Sequence, residues 1–431
     1  MSIEDKYNLF KQYQENSVLN KKLLQIGISD FIIQIDKLNE KDAGSFNLKS
    51  NLKSLTQCIN TFFLFIFQKK KTFLFFPLDE THLKQMLSVA TAIKKTDEHS
   101  ILFVSTKSRL RKEIVENGFK FIELPVFTLS NFFSNNKEKR IYNRANYFNQ
   151  LSKVIHSFIL PKAVILGNDL ILENRALTIT STEKNVQTFC IQHGSMNSLN
   201  PLYREILVGN YFVYGQRTKN HLETLNLSNT KFLVSGAPYL ENLEFNKNLS
   251  KMFYQKVLIL LSGPGHSYTL NHHKEILTSL IRLSELNTEI NFVLKPHPKD
   301  GFSKNIVENS RIKFLSNEEL KAANKNTLEL ITEFDLIISG ASTSVIEAIA
   351  LGKKVITIDY EKAYSEADFI QDGLTNHCTS ENQLQNYFEN LQSNLNSTKE
   401  NANDINEYFQ QNKVGLKPSE IIAKEILSCV E

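Results

Sequence analysis

The chain has 431 residues, of which 41% are hydrophobic and 22% are charged, and its formal net charge is +4. This length exceeds what one hydrophobic core usually serves, so we expect two domains. The small net charge and the lack of a long basic block give no reason to expect nucleic-acid binding. The four cysteines lack C-x-x-C spacing, which argues against a zinc site or disulfide framework. Together with an N-terminus unlike a signal peptide, this favours a cytoplasmic protein.

A polar N-terminal segment, residues 1–68, has no strand pattern and is predicted to be helical. Within it the range Leu55–Phe67 is apolar and aromatic, and three lysines follow at positions 69–71. The stretch is shorter than the roughly twenty apolar residues that a membrane-spanning helix needs. It is therefore either a helix packed inside the protein or a membrane-surface helix with a basic flank. The second interpretation would give the protein a peripheral contact with the inner face of the membrane.

Residues 69–245 alternate short apolar runs with stretches long enough for helices. Continuous apolar strands alternating with helices are typical of a parallel sheet covered on both faces. We therefore predict a Rossmann-like domain here, which would bind the acceptor. The predicted strands are Thr72–Phe76, Ile101–Thr106, Phe119–Leu124, Ala163–Gly167, Gln187–Gln192, Tyr211–Tyr214 and Lys231–Ser235.

A polar, asparagine-rich stretch at 241–256 predicts a linker, and a second alternating pattern follows it. This pattern predicts another Rossmann-like domain over 246–385, for the nucleotide donor, and helices over 386–431 that pack back across the domains. Its predicted strands are Lys256–Leu261, Ile290–Lys295, Arg311–Leu315, Leu336–Ser339 and Lys354–Asp359. Two doubly wound α/β domains facing across a cleft form the GT-B architecture of many nucleotide-sugar transferases and of non-hydrolysing sugar-nucleotide epimerases. Fold alone does not fix function.

The junction between a predicted strand and helix, Ser339 to Glu347, is rich in hydroxyl groups. A helix start binds anions through its unpaired N–H groups and its dipole, and ligands of open α/β sheets lie outside the carboxyl ends of strands. A donor phosphate site is therefore predicted at this junction. Its expected contributors are Gly340, Ser342, Thr343, Ser344 and Glu347. The alternative is a capping box between Ser344 and Glu347, which needs no ligand.

Two more strand ends contribute to the predicted donor site. In Lys295-Pro296-His297-Pro298 the prolines fix the backbone, so His297 is suited to contact a phosphate leaving group and to protonate it. Lys295 would add positive charge there, or else be a solvated lysine. After the first strand of this domain, Gly263 and Gly265 form either a loop for phosphate or ribose or a plain tight turn. The loop does not complete the dinucleotide fingerprint G-x-G-x-x-G, because residue 268 is Tyr.

The predicted acceptor side centres on His193, in Gln192-His193-Gly194-Ser195 at a strand end. A neutral imidazole at this place could remove the proton from an attacking hydroxyl. Asp169, at the end of another strand, is the rival base. No Asp-x-Asp pair follows a strand, so we expect neither a metal-chelated diphosphate nor any other cofactor. Histidine, lysine and a helix start can stabilise a leaving phosphate without a metal ion.

These motifs, taken in order, resemble those of bacterial surface-polysaccharide transferases of the GT-B type. His-Gly after a strand, x-x-His-Pro and a Ser/Thr-rich helix start are similar to motifs of teichoic-acid polyol-phosphate polymerases and of bacterial sialyl-, polysialyl- and Kdo-transferases. The resemblance spans about 187–359. It implies that His193 is the base and that His297 and Ser342–Ser344 contact the donor phosphate. The chain departs from the polymerases after His-Gly, where Ser195-Met196 stands in place of their Thr-Pro.

These observations predict a metal-independent, inverting glycosyltransferase. It would move a sugar from a CMP- or other nucleotide-sugar donor to a glycan or lipid-linked acceptor during capsule or lipopolysaccharide assembly. Because of the resemblance described above, we expect a cytidine-linked donor in preference to a uridine-linked one. The alternatives are a CDP-polyol phosphotransferase, a UDP-sugar 2-epimerase that needs no acceptor, and a non-enzymatic assembly protein.

Overall fold

The computed structural model divides into two compact units. The first comprises Met1–His193, Asn200–Glu241 and Tyr408–Glu431, and the second comprises Gly194–Leu199 and Asn242–Glu407. The described residues are 3–17, 19–34, 72–96, 100–125, 137–194, 196, 200–242, 254–261, 263, 269–297, 300–340, 342–362, 367–393, 409 and 416–430. The stretch 55–67 and the predicted domain boundary at 245/246 lie outside them.

Each unit is built around a wholly parallel sheet. The first sheet has the strand order β3-β2-β1-β4-β5-β6-β7, and the second has the order β10-β9-β8-β11-β12-β13. The strands are β1 (Phe73–Phe76), β2 (Ile101–Ser105), β3 (Lys120–Glu123), β4 (Ala163–Leu166), β5 (Gln187–Ile191), β6 (Asn210–Val213), β7 (Lys231–Val234), β8 (Lys256–Leu261), β9 (Asn291–Pro296), β10 (Lys313–Phe314), β11 (Leu336–Ser339), β12 (Lys354–Ile358) and β13 (Asn376–Cys378).

Helices connect most of these strands. In chain order they are α1 (Ile3–Asn16), α2 (Lys21–Ile26), α3 (Ile28–Gln34), α4 (Glu80–Thr96), α5 (Arg111–Glu116), α6 (Lys137–Ile159), α7 (Leu172–Glu183), α8 (Gln216–Glu223), α9 (Leu270–Leu286), α10 (Ser303–Val307), α11 (Asn317–Ala322), α12 (Thr327–Thr332), α13 (Thr343–Ala350), α14 (Asp368–Gln371), α15 (Glu381–Ser393) and α16 (Pro418–Ser428). Short 3-10 turns occur at 108–110, 201–205 and 238–240.

The apolar strand runs are buried along their whole length in β1, β2, β4, β6 and β11, as expected for a sheet covered on both faces. In the first unit the core joins this sheet to α4 and to the C-terminal helix α16, which inserts Ile422 and Ile426. In the second unit α9 covers the sheet with Ile276, Leu277 and Leu280. The hydrophobic effect therefore places α16 on the first unit although it is last in the chain.

The N-terminal helices α1–α3 pack on the first unit through an aromatic cluster that includes Phe10 and Phe31. A polar network strengthens this contact. The Glu205 carboxylate accepts hydrogen bonds from the Tyr7 hydroxyl at 2.6 Å and from the Gln25 amide at 2.7 Å. Lys11 forms an ion pair with the same carboxylate at 2.5 Å. Most of the side chain of Glu205 is buried, so this network fastens the helices to the segment that precedes β6.

In the described parts of the chain, no helix is both long and apolar enough to cross a membrane.

Candidate active site

The first candidate cluster lies where strand order reverses in the first sheet, between β1 and β4. Ligands of doubly wound sheets bind outside the strand ends at this point. Gly167 follows β4, His193 follows β5, and His82 lies in the first turn of α4, which follows β1. The imidazole rings of His82 and His193 meet edge to face, with their centroids 4.5 Å apart. A side chain on Gly167 would place its Cβ 2.5 Å from Cγ of His82.

Burial shapes the electrostatics of this pair. His193 is half-buried, and its Nδ1 atom is buried without a hydrogen-bond partner. Burial, together with the neighbouring His82, lowers the pKa of His193 to about 3, against the opposing effects of Asp79 and of a hydrogen bond with the Gly167 backbone. Burial also lowers the pKa of His82, and Asp79 again opposes the shift. Both imidazoles are therefore neutral at pH 7, the state from which a histidine can accept a proton.

Asp169, the rival base, has a different environment. Its carboxylate is 1% exposed and accepts hydrogen bonds from the backbone N–H groups of Leu207 and Val208 and from the Thr178 hydroxyl. The Arg175 guanidinium lies close by and donates to the Asp169 carbonyl at 3.4 Å. These contacts tie α7 to the segment before β6. They argue for a structural role and against proton abstraction from a substrate.

The second candidate cluster lies in the second unit, where strand order reverses between β8 and β11. The register aligns Lys295 of β9 with Leu260, Leu260 with Ser339 of β11, and Ser339 with Thr357. Because neighbouring strands are about 4.8 Å apart, Lys295 and Ser339 lie within about 10 Å of each other near the carboxyl edge. Burial lowers the pKa of Lys295, and the nearby carboxylate of Glu347 on α13 opposes this shift. The sheet therefore brings Ser339 together with two of the predicted donor-site side chains, Lys295 and Glu347.

The start of α13 corrects one alternative from the sequence. The N-cap residue is Ser342, so Ser344 and Glu347 do not form the capping box that their spacing allowed. The Ser342 side chain makes no capping hydrogen bond. Its hydroxyl lies 3.4 Å from that of Ser339, which in turn donates to the Leu260 carbonyl at 2.7 Å. Helix capping therefore does not account for the hydroxyl groups of Ser342 and Ser344.

The remaining predicted donor residues lie along the same edge. Gly340 is buried next to the end of β11, and its N–H donates to the Leu260 carbonyl at 3.3 Å. His297 follows β9 and is half-buried. Gly263 has φ +76°, and a Cβ there would lie 3.1 Å from Cβ of Asp300, so the turn needs glycine. Gly265 and the Thr343 side chain lie outside the described residues.

Sequence reasoning missed His82 and its neighbour Asp79. Asp79 accepts a hydrogen bond from the His82 backbone N–H at 3.0 Å, which is the bond of a helix N-cap. The available signal was the pair of residue types, Asp and His, that opens the first helix after a buried strand. This signal could not be interpreted from the sequence, because only the strand order of the sheet shows that the end of β1 lies beside the end of β4.

No known protein-family model matches the sequence, and no curated protein is significantly similar to it. Solved structures do share its fold. The UDP-GlcNAc 2-epimerase of Neisseria meningitidis, bound to UDP-GlcNAc, is 14% identical and covers 83% of this chain and 100% of its own, with a TM-score of 0.56. MnaA of S. aureus, solved with UDP, is 13% identical and covers 83% of this chain and 95% of its own, with a TM-score of 0.55.

A third solved structure shares the fold. Phytolacca americana UGT2, in complex with UDP-2-fluoro-glucose and pterostilbene, is 10% identical and covers 84% of this chain and 99% of its own, with a TM-score of 0.58. At these identities the likeness shows the fold and not the reaction. It confirms the predicted GT-B class, with two parallel-sheet α/β domains of seven and six strands. These neighbours are GT-B enzymes of nucleotide sugars.

Proposed function

We propose that this protein is a glycosyltransferase that takes its sugar from a nucleotide-sugar donor. One observation carries the proposal. In both sheets, chemically suited side chains gather at the carboxyl ends of strands where the strand order reverses, which is where α/β enzymes bind nucleotides. The resemblance of the His-Gly, His-Pro and Ser/Thr motifs to surface-polysaccharide transferases supports the assignment. So does the GT-B fold shared with proteins solved in complex with UDP or UDP-sugars.

In the proposed reaction, His193 accepts the proton of the acceptor hydroxyl as the oxygen bonds to the anomeric carbon. The bond from that carbon to the donor phosphate breaks, and its electron pair leaves with the nucleotide. His297 donates a hydrogen bond or a proton to the departing phosphate, and Lys295 and the start of α13 offset its negative charge. Attack from the side opposite the leaving group inverts the anomeric centre. No step requires a metal ion.

Nucleotide binding is the first test. The purified protein is heated with CMP, CDP, UDP or GDP, since a ligand that binds only the folded state adds about 2.7 kcal/mol of stability at a hundredfold excess over Kd. We expect nucleotides of one nucleobase to raise the melting temperature more than the others. The motifs favour the cytidine nucleotides. Unchanged melting with all four nucleotides would refute the donor site.

Turnover is the second test. Donor and candidate glycan or lipid-linked acceptors are mixed, and released nucleotide is measured together with the glycosylated product. His193→Gln and His297→Gln should each lower kcat about a hundredfold or more, the contribution typical of a general base or acid. His156→Gln is the control, because His156 is a buried histidine that hydrogen-bonds to Ser152 and Ser181 within the first unit and takes no part in the proposed reaction. Equal loss in all three variants would indicate damage to the fold and not to catalysis.

A UDP-sugar 2-epimerase is the second candidate, because the Neisseria meningitidis structure described above is a UDP-GlcNAc 2-epimerase and is covered over 100% of its own chain. The distinction is chemical. An epimerase would convert UDP-GlcNAc to its C2 epimer with no acceptor present, whereas the proposed transferase would leave the donor sugar unchanged until an acceptor is added. Release of a polyol phosphate unit in place of a sugar would instead identify a CDP-polyol phosphotransferase.

A further inference from the structure

The pairing of His82 with His193 is not used by the reaction as written above. His82 is 3% exposed, and its Nε2 atom, like Nδ1 of His193, is buried without a hydrogen-bond partner. Leaving a buried polar atom unpaired costs about 1–3 kcal/mol, so two such atoms in touching rings call for an explanation. The contact also constrains a third position, since any side chain on Gly167 would collide with His82.

The surroundings of His82 give it a fixed orientation. Its Nδ1 atom accepts a hydrogen bond from the Leu78 backbone N–H at 3.4 Å and lies 3.7 Å from Oδ1 of Asp79. Asp79 is 44% exposed and holds the first turn of α4 through the His82 backbone N–H. The three side chains therefore form a series that runs from the solvent-exposed carboxylate of Asp79 through the buried imidazole of His82 to the half-buried imidazole of His193.

We propose that His82 is a positioning residue for His193, and that Asp79, His82 and His193 act as one unit in proton transfer. This inference rests on the proposed function, in which His193 is the base. The edge-to-face contact fixes the ring plane of His193 and leaves its buried Nδ1 atom without a hydrogen-bond partner. The Asp79 carboxylate, whose charge acts directly on His193, compensates the positive charge that His193 gains when the acceptor hydroxyl gives up its proton.

The proposal is testable because His82 and Asp79 have opposite effects on the pKa of His193. The titratable groups acting on the His193 imidazole are His82, which disfavours its charged form, and Asp79, which favours it. Replacing His82 should therefore raise the pKa of His193. Replacing Asp79 by Asn, which retains the N-cap, should lower it. A purely structural role for His82 predicts no such opposite pair of shifts.

The experiment is a 15N NMR titration of histidine side chains in the whole protein, with no substrate present. In wild type His193 should stay neutral to the lowest pH at which the protein is folded. His82→Gln should move its titration upward by about one pH unit or more, and Asp79→Asn in that background should move it back. His82→Phe keeps a ring in place and serves if His82→Gln does not fold. The buried His156→Gln variant is the control and should leave His193 unchanged.

Steady-state kinetics provide a second test of the positioning role of His82. His82→Gln should lower kcat about tenfold while the KM for donor changes by less than about twofold, and the acid limb of the pH profile should follow the NMR shift. An unchanged His193 titration in both His82 variants overturns the positioning role, whatever the activity. If the titration moves but no nucleotide binds, the proposed function is overturned and the coupling of the two rings stands.

Discussion

The hydroxyl of Ser342 lies 3.4 Å from that of Ser339 and makes no capping bond to the helix that it precedes. In the same unit, Ser316 caps α11 with a complete capping box, in which it pairs with Glu319. The two serines therefore occupy the same position relative to a helix, and only one of them is used to stabilise it. This difference predicts a structural role for Ser316 and a ligand-binding role for Ser342.

Alanine substitutions at these two serines should have opposite consequences. Ser316→Ala should lower the free energy of unfolding by about 1 kcal/mol and leave nucleotide affinity unchanged. Ser342→Ala should leave stability nearly unchanged and weaken nucleotide binding about tenfold, because a hydrogen bond to a charged phosphate is lost. Urea denaturation and isothermal titration calorimetry measure the two quantities. If Ser342→Ala lost stability and kept its affinity, the phosphate contact would be wrong.

Asp169 is expected to be essential to the fold and dispensable for chemistry. Its carboxylate accepts hydrogen bonds from the backbone N–H groups of Leu207 and Val208, and Asp169→Ala would remove the acceptor from one part-buried and one buried donor. We expect the free energy of unfolding to fall by about 3 kcal/mol or more. Folded Asp169→Ala protein is first separated from misfolded protein. Its kcat should then remain near that of wild type. A loss of kcat of more than about a hundredfold in folded protein would restore Asp169 as the base.

The positions of most strands were predictable from sequence, because a strand that is buried on both faces consists almost entirely of apolar residues. Nearly continuous apolar runs such as 256–261 and 336–339 leave little choice between strand and loop, and both strands occur with these bounds. β13 was missed because its three residues, Asn376–Cys378, include no apolar run. It is a strand because β12 offers it a pairing edge, with Cys378 opposite Ile358.

The candidate site was predictable only in part, for a similar reason. Motifs at single strand ends pointed to His193, His297 and the start of α13, since each lies next to an apolar run. The His82 contact depends instead on strand order, which places β4 beside β1 across a long connection. The capping alternative failed because Ser342, with extended backbone angles of φ −140° and ψ 167°, starts the helix before Ser344. Neither the strand order nor the residue at which this helix begins can be determined from a local sequence pattern.

Acid should destabilise the first unit through its histidines. An unfolded histidine has a pKa of about 6.5, whereas burial and His82 hold the pKa of His193 at about 3. Because the unfolded chain binds more protons between these values, stability is fully present above the unfolded pKa and falls as the pH drops toward the folded one. Between pH 7 and pH 5 the loss from this residue is about 1–2 kcal/mol.

Urea denaturation followed by far-UV circular dichroism measures this loss, since the chain contains no tryptophan for fluorescence. His193→Gln should flatten the dependence of unfolding free energy on pH in this window. His221→Gln is a useful comparison, because that histidine lies on α8, whereas His82 lies on α4 and His193 follows β5. Equal slopes for wild type and His193→Gln would contradict the low pKa.

Glu205 should fasten the N-terminal helices in a way that depends on pH. Burial pushes the pKa of Glu205 upward, but the hydrogen bonds from Lys11, Tyr7 and Gln25 outweigh it, so the pKa lies below its ordinary value. The stabilisation is therefore present above the unfolded pKa of about 4.3 and is lost as the pH falls through the folded value. Glu205→Gln should cost about 2 kcal/mol at pH 7 and little at acidic pH, where wild type loses the same charge.

Hydrogen exchange of residues 3–34 at pH 7 reports this effect directly, because those amides should lose protection in Glu205→Gln before the sheet does. The matched control is Glu4→Gln. Glu4 also joins α1 to the 201–205 turn, through an ion pair with Arg204 at 2.8 Å, but both side chains are more than 40% exposed. Such a surface pair contributes less than about 1 kcal/mol. If the two variants lost protection equally, buried hydrogen bonding would not be what fastens these helices, and the aromatic cluster around Phe10 and Phe31 would be sufficient.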